Sequence, residues 1–109
     1  MKVLFLTSYY PPFLENFFKQ HDCSALSFEQ TLNKLLEQHF ADTGSLFYYT
    51  KEAGNDTFLI IANCEPLQKK WAKENNVTYT ENWFLEIPYA QIKTFKPDVF
   101  YLEYVTEFF

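Results

Sequence analysis

Three short runs rich in apolar residues predict three strands. Val3–Leu6 is the first run, Thr57–Ala62 ("TFLIIA") the second and Val99–Tyr104 ("VFYLEY") the third. The first two runs are nearly continuous rather than alternating, which is typical of strands covered on both faces in a parallel sheet. Pro11 and Pro12 follow the first run and end it, because proline cannot donate to a strand ladder.

Between these runs, apolar residues recur at the three- and four-residue spacing of helices. Phe13–Gln20 suits a short helix, and "SFEQ" at Ser27–Gln30 is a capping box that predicts the start of another. The apolar residues that share one face after this box are Phe28, Leu32, Leu35, Leu36 and Phe40. We expect a third helix after Asn63, which would cap it, and a fourth over about Pro88–Lys96. Val77–Trp83 is predicted to be irregular or a short edge strand.

The predicted third helix carries an apolar stripe and a basic surface. Leu67 and Trp71 stand four residues apart, so they share the face that packs inward. The residues expected to face water are Gln68, Lys69, Lys70 and Lys73. We interpret this lysine run as a solvated helix face rather than as a site for an anionic partner.

The order of the elements predicts the fold class. Strands that alternate with long helical connections are parallel, and their crossovers are right-handed. The sequence therefore predicts an α/β protein with a partial, three-layer, Rossmann-like parallel sheet of about three strands in the order 2-1-3, with flanking helices. The chain has 109 residues, which fits one such unit over residues 1–109.

This strand order also predicts where a ligand binds. The helical connections leave the central first strand in opposite directions, and open α/β sheets bind ligands beyond the carboxyl ends of such strands. Tyr9 and Tyr10 follow the first strand, and Glu103 and Tyr104 end the third. These side chains would give an apolar floor with polar tips, suited to a sugar or a similar polyol. The alternative is that Tyr9 and Tyr10 pack the strand end against the first helix.

Composition removes several classes of function. The net charge is −5 and all nine basic residues are lysines, so no arginine fork is present for phosphate or guanine and nucleic-acid binding is disfavoured. Only Gly44 and Gly54 are glycines, which excludes the dinucleotide fingerprint and the P-loop, and no cofactor is expected. No apolar run approaches the roughly 20 residues of a membrane span.

The cysteines and histidines give no strong chemical signal. Cys23 and Cys64 form no CxxC pair, so we expect free thiols in a reducing compartment and a cytoplasmic protein. His21, Asp22 and Cys23 adjoin in sequence, but a structural zinc site requires four ligands at recognisable spacing. We interpret these three residues as a polar loop, and no metal site is expected.

Four stretches together carry a resemblance to a known family. They are "VLFLTSYYPPFLENFF" at the start, "FADTGSLFYYTKEAG" from Phe40, "IIANCEPLQKKWAKEN" from Ile60 and "QIKTFKPDVFYLE" from Gln91. In this order they resemble the N-terminal domain of GT-B-type glycosyltransferases, in particular the bacterial subgroup related to spore-maturation CgeB-like proteins. The loop "YYPPFLEN" lacks the glycine pair that many GT-B enzymes carry after the first strand, which argues against direct pyrophosphate contact there.

The resemblance implies that this chain is the acceptor-side, N-terminal portion of a larger two-domain glycosyltransferase. In that family the C-terminal domain holds the nucleotide-sugar, so this portion is expected to be inactive alone. We expect only the full-length protein to bind both the nucleotide-sugar and the acceptor. No catalytic residue can be carried over from the family. The alternative is a freestanding α/β interaction or small-ligand-binding module without catalysis. The third strand would leave an exposed edge, through which we expect copies to join as a homo-oligomer.

Overall fold

A computed structural model describes the chain at residues 1–37, 47 and 49–102. Its elements, in chain order, are β1 (Lys2–Thr7), α1 (Pro11–Gln20), α2 (Phe28–Leu36), β2 (Asp56–Ile61), α3 (Glu65–Glu74), α4 (Trp83–Phe95) and β3 (Val99–Leu102). Residues 49–52 are also helical. Phe40, which the sequence places in the second helix, lies outside the described residues. The end of the third predicted strand, after Leu102, also lies outside them.

The three described strands form one parallel sheet in the order β2-β1-β3. Phe5 at the centre of β1 stands opposite Leu59 of β2 and Tyr101 of β3. The predicted α/β class, parallel pairing and strand order are therefore confirmed.

Side chains of β1 alternate between two apolar layers. Val3 and Phe5 point into the larger core, which α1, α2 and α3 cover. Leu4 and Leu6 point into a smaller core on the opposite face, where Ile92 of α4 packs. Burial on both faces explains why the first strand reads as a continuous apolar run.

The capping box forms as the sequence predicts. The Gln30 N–H donates to Ser27 Oγ at 3.1 Å, and the Ser27 N–H donates to Gln30 Oε1 at 3.0 Å. The Phe28 N–H also donates to Glu74 Oε2 at 2.6 Å. Because Glu74 ends α3, this carboxylate joins the positive end of α2 to the last turn of α3.

The fourth helix begins earlier than predicted, at Trp83 rather than at Pro88. Pro88 therefore lies inside α4, where it cannot donate to the carbonyl of Phe84. Ile87, next to this proline, is fully buried, so packing maintains the helix through a residue that disfavours it. Residues 77–82 are irregular and form no strand.

Gln68 does not face water, and the prediction for this residue was wrong. Gln68 and Gln91 are both fully buried between α3 and α4. Each side-chain amide donates to the other's oxygen, at 2.8 Å from Gln68 and 3.0 Å from Gln91. Here α4 covers the polar side of α3 and supplies the amide that pairs with Gln68. The periodicity of apolar residues along α3 alone does not show that a second helix packs there.

β3 lies at one edge of the sheet and is poorly covered. Its four side chains, Val99, Phe100, Tyr101 and Leu102, are each between 40% and 45% exposed. Among the described residues, no strand pairs with its outer side. Within the same residues, no helix is long and apolar enough to cross a membrane.

Candidate functional site

A crevice lies beyond the carboxyl ends of β1 and β2. The sequence predicted a ligand site between the ends of β1 and β3 instead, and the β3 side of that site lies outside the described residues. The Ala62 N–H donates to the Thr7 carbonyl oxygen at 2.8 Å, which extends the ladder to this edge. Past that bond, a space of about 360 Å³ separates α1 from the start of α3. Its apolar lining comes from Pro11, Leu14, Phe18, Cys64 and Pro66, and its polar lining from Glu15, Asn63 and Glu65.

Asn63 fixes the floor of this crevice. Its Oδ1 accepts from the Tyr9 N–H at 3.0 Å, and its Nδ2 donates to the Tyr9 carbonyl oxygen at 2.7 Å. The side chain thus continues the pairing of the two strands after their backbones separate. The prediction that Asn63 caps the following helix was wrong, because α3 has Cys64 at its N-cap position and no side-chain cap.

Two carboxylates lie on the walls of the crevice. Glu15 is exposed on α1, and Glu65 is the first residue of α3. Glu65 also pairs with Lys69 one turn later, and this hydrogen bond raises the pKa of the Lys69 ammonium. Carboxylates beside apolar surface provide acceptors for hydroxyl groups, an arrangement that suits a sugar or polyol.

Cys64 is unsuited to nucleophilic chemistry at this site. Burial raises the pKa of its thiol to about 12, so the thiolate is scarce near neutral pH. Its side chain is 1% exposed and acts as a small apolar group under the crevice.

The structure separates the two tyrosines that the sequence singles out. Tyr9 is 5% exposed in the larger core, with its ring edge-on to Phe13 at 6.0 Å, whereas Tyr10 is 62% exposed. Neither is among the residues that line the crevice. Glu103 and Tyr104 lie outside the described residues. A shared site of these four residues therefore stays a prediction.

Sequence reasoning missed both Glu15 and Glu65 as site residues. A usable signal was present for Glu65, which comes four residues after the last strand residue, Ile61. The sequence gives less indication for Glu15, which lies one turn into α1. Its position becomes relevant only when α1 and α3 are known to face each other.

His21, Asp22 and Cys23 line a second, wider groove along α3. Asp22 accepts from the Ser24 N–H at 3.1 Å and from Ser24 Oγ at 2.7 Å, and these bonds lower the pKa of its carboxyl. Among the described residues, no group of three or more histidine, cysteine, aspartate or glutamate side chains is placed to hold a metal.

Comparison with known proteins finds no matching family model, no matching curated protein and no matching solved structure.

Proposed function

We propose that this chain is the acceptor-side portion of a glycosyltransferase and that its crevice binds the sugar or polyol acceptor. The observation that carries the proposal is the crevice at the carboxyl ends of β1 and β2, with Glu15 and Glu65 beside apolar surface. The sequence resemblance to GT-B N-terminal domains supports the same assignment.

The lining residues suit a polyol in two ways. Glu15 and Glu65 accept hydrogen bonds from hydroxyl groups, while Phe18 and Pro11 offer apolar surface to ring C–H groups. Asn63 holds the loop backbone through Tyr9 rather than facing a ligand with a free amide. The proposal assigns acceptor binding to this chain and donor binding to a partner domain, so the chain alone performs no transfer.

The alternative is a freestanding module that binds a small polar ligand without catalysis. One observation favours it: every residue that lines the crevice belongs to α1, to the start of α3 or to the turn between β2 and α3. The described lining of the crevice therefore comes from a single unit of the fold. The two functions differ in whether saccharides are the preferred ligands.

We would test the proposal by NMR titration of the ¹⁵N-labelled chain with a panel of neutral mono- and disaccharides. The expected result is a saturable shift of the Glu15, Asn63 and Glu65 amide signals by some of these sugars. Glu15→Gln should weaken binding about tenfold, because a charged acceptor is lost. Glu81→Gln, an exposed glutamate away from the crevice, is the control.

Three outcomes bear against the assignment. Absence of saturable shifts with every saccharide would contradict acceptor binding, and preference for a non-sugar polar ligand would favour the freestanding module. Release of nucleotide from nucleotide-sugars by this chain, above a buffer control, would contradict its inactivity alone.

A further inference from the structure

The second groove runs along α3 and has a volume of about 810 Å³. One wall is formed by Phe18 and by residues 21–24, and the other by residues 77–79. Its floor contains Lys69, Lys70 and Lys73 of α3. We call it the lysine groove. Phe18 and Pro66 line both this groove and the crevice. The charged lining of the groove is mainly lysine, whereas that of the crevice is glutamate.

Positive charge is concentrated in the lysine groove although the chain is acidic. Among the described residues, three of the nine lysines and one carboxylate, that of Asp22, line it, in a chain whose net charge is −5. Glu65 pairs with Lys69 at the edge of the groove and offsets that lysine. The charges of Lys70 and Lys73 remain, but Asp22 opposes them, so the three lysines, Glu65 and Asp22 together carry a net charge of +1.

Lys70 is half-buried rather than fully solvated as the sequence predicted, and Lys70 and Lys73 offer different donors to an anion. Lys70 Nζ donates to the carbonyl oxygens of Cys23 at 2.9 Å and Leu26 at 2.8 Å, which fixes its position without neutralising its charge. Two of its three N–H groups are then used, and one remains for a ligand. Lys73 has no hydrogen-bond or ion-pair partner among the described residues. It lies three residues from Lys70, on the same face of α3.

The groove also presents apolar surface next to this charge. Phe18 and Val77 are half-buried on opposite walls, and Pro66 lies at the end of the floor. The Tyr79 ring is 40% exposed and lies 5.6 Å from Lys69 Nζ. A bare inorganic anion would leave this apolar surface unused, whereas an anion with a compact apolar group would cover it.

We propose that the lysine groove binds a small organic phosphate, with the phosphate between Lys70 and Lys73 and the apolar group against Phe18 and Val77. The assignment is independent of the acceptor crevice, because it depends on charge that the crevice does not contain. Binding should weaken as salt is added, since an exposed ammonium is screened by ions.

The test is an NMR titration of the complete chain with phenyl phosphate, in parallel with inorganic phosphate and with phenol. The expected result is saturable shifts at Lys73, Val77 and Ser24 with phenyl phosphate, and weaker binding of the other two probes. Lys73→Gln should raise the dissociation constant of phenyl phosphate roughly fivefold. Lys93→Gln is the matched control, because Lys93 occupies the last turn of α4 as Lys73 occupies the last turn of α3.

The proposal is overturned by any of three results. The first is no saturable shift with phenyl phosphate, and the second is equal loss of affinity in Lys73→Gln and Lys93→Gln. The third is equal affinity for inorganic phosphate and phenyl phosphate, which would remove the role of the apolar walls. Because both substituted lysines are exposed, neither variant should unfold, and a matching ¹⁵N spectrum without ligand verifies this.

Discussion

Asn63 shows how a single side chain shapes the edge of this sheet. Its side-chain amide accepts from the Tyr9 N–H and donates to the Tyr9 carbonyl oxygen, so one side chain replaces the two bonds that regular strand pairing would supply. This arrangement satisfies the Tyr9 backbone where regular pairing ends. The Tyr9 ring itself lies in the larger core and is 5% exposed.

Cys64 should make stability fall at alkaline pH. Its folded pKa is about 12, above the ordinary thiol value of 9.0, so between these values the unfolded chain loses a proton that the folded chain keeps. Titration of this thiol therefore leaves the free energy of unfolding unchanged below about pH 9. Above about pH 9, the free energy of unfolding decreases by up to about 1.4 kcal/mol per pH unit. Urea unfolding at a series of pH values from 8 to 11 measures this dependence.

Replacement of Cys64 isolates this effect. Cys64→Ala should lose less stability than the wild type between pH 9 and pH 11, even if it is less stable at every pH because of the lost burial. Cys23→Ala is the control for removing a buried thiol, since Cys23 is also buried. Parallel pH curves for Cys64→Ala and the wild type would show that the thiol does not titrate as expected.

At the scale of elements, the pair of buried glutamines sets how α3 and α4 pack. Gln68→Met leaves the Gln91 amide buried without its partner, so this variant should lose about 1–3 kcal/mol of stability. Gln91→Met should behave similarly. The double variant should recover much of the loss, because two apolar side chains of similar shape replace a satisfied polar pair. Denaturant unfolding of the four proteins gives the coupling free energy directly.

A double variant whose loss equals the sum of the single losses would contradict this account. It would mean that each glutamine contributes through contacts other than the reciprocal amide bonds. Glu81→Gln provides a surface control that should leave stability within about 0.5 kcal/mol of the wild type.

The elements that sequence predicted well are those fixed by local signals. The β1 and β2 runs and the Ser27 capping box depend on neighbouring residues, and all three formed within a residue or two of their predicted bounds. The start of α4 and the burial of Gln68 depend on contacts between helices far apart in sequence. Helical periodicity contains no information about which helix packs on which face.

At the scale of the whole molecule, topology indicated the edge of the sheet where a ligand would bind but not the pair of strands. The predicted site lies between the ends of β1 and β3, whereas the crevice in the structure lies at β1 and β2. The lining groups Glu15 and Glu65 come from helices whose separation depends on packing. Strand-end residues such as Tyr9 were the natural candidates because a sequence shows where a strand ends more clearly than where a helix lies.

The exposed edge of β3 leads to a prediction about assembly. Its four apolar side chains are 40–45% exposed, and no described strand pairs with its outer backbone groups. Such an edge is a template for pairing with another chain, and pairing between two copies would satisfy the backbone groups and cover the side chains of both. We therefore expect a concentration-dependent dimer or larger species joined through β3, which light scattering across a wide dilution range measures.

A charge on the edge strand should weaken this association, because charged side chains on an edge oppose strand pairing. Leu102→Lys places an ammonium at a side chain that is 45% exposed, so the fold should tolerate it while the average mass falls towards that of the monomer. Tyr49→Lys changes a 70% exposed aromatic residue that does not belong to β3 and should leave the mass unchanged. A constant monomeric mass of the wild type at high concentration, or equal effects of the two variants, would show that β3 does not join copies of this chain.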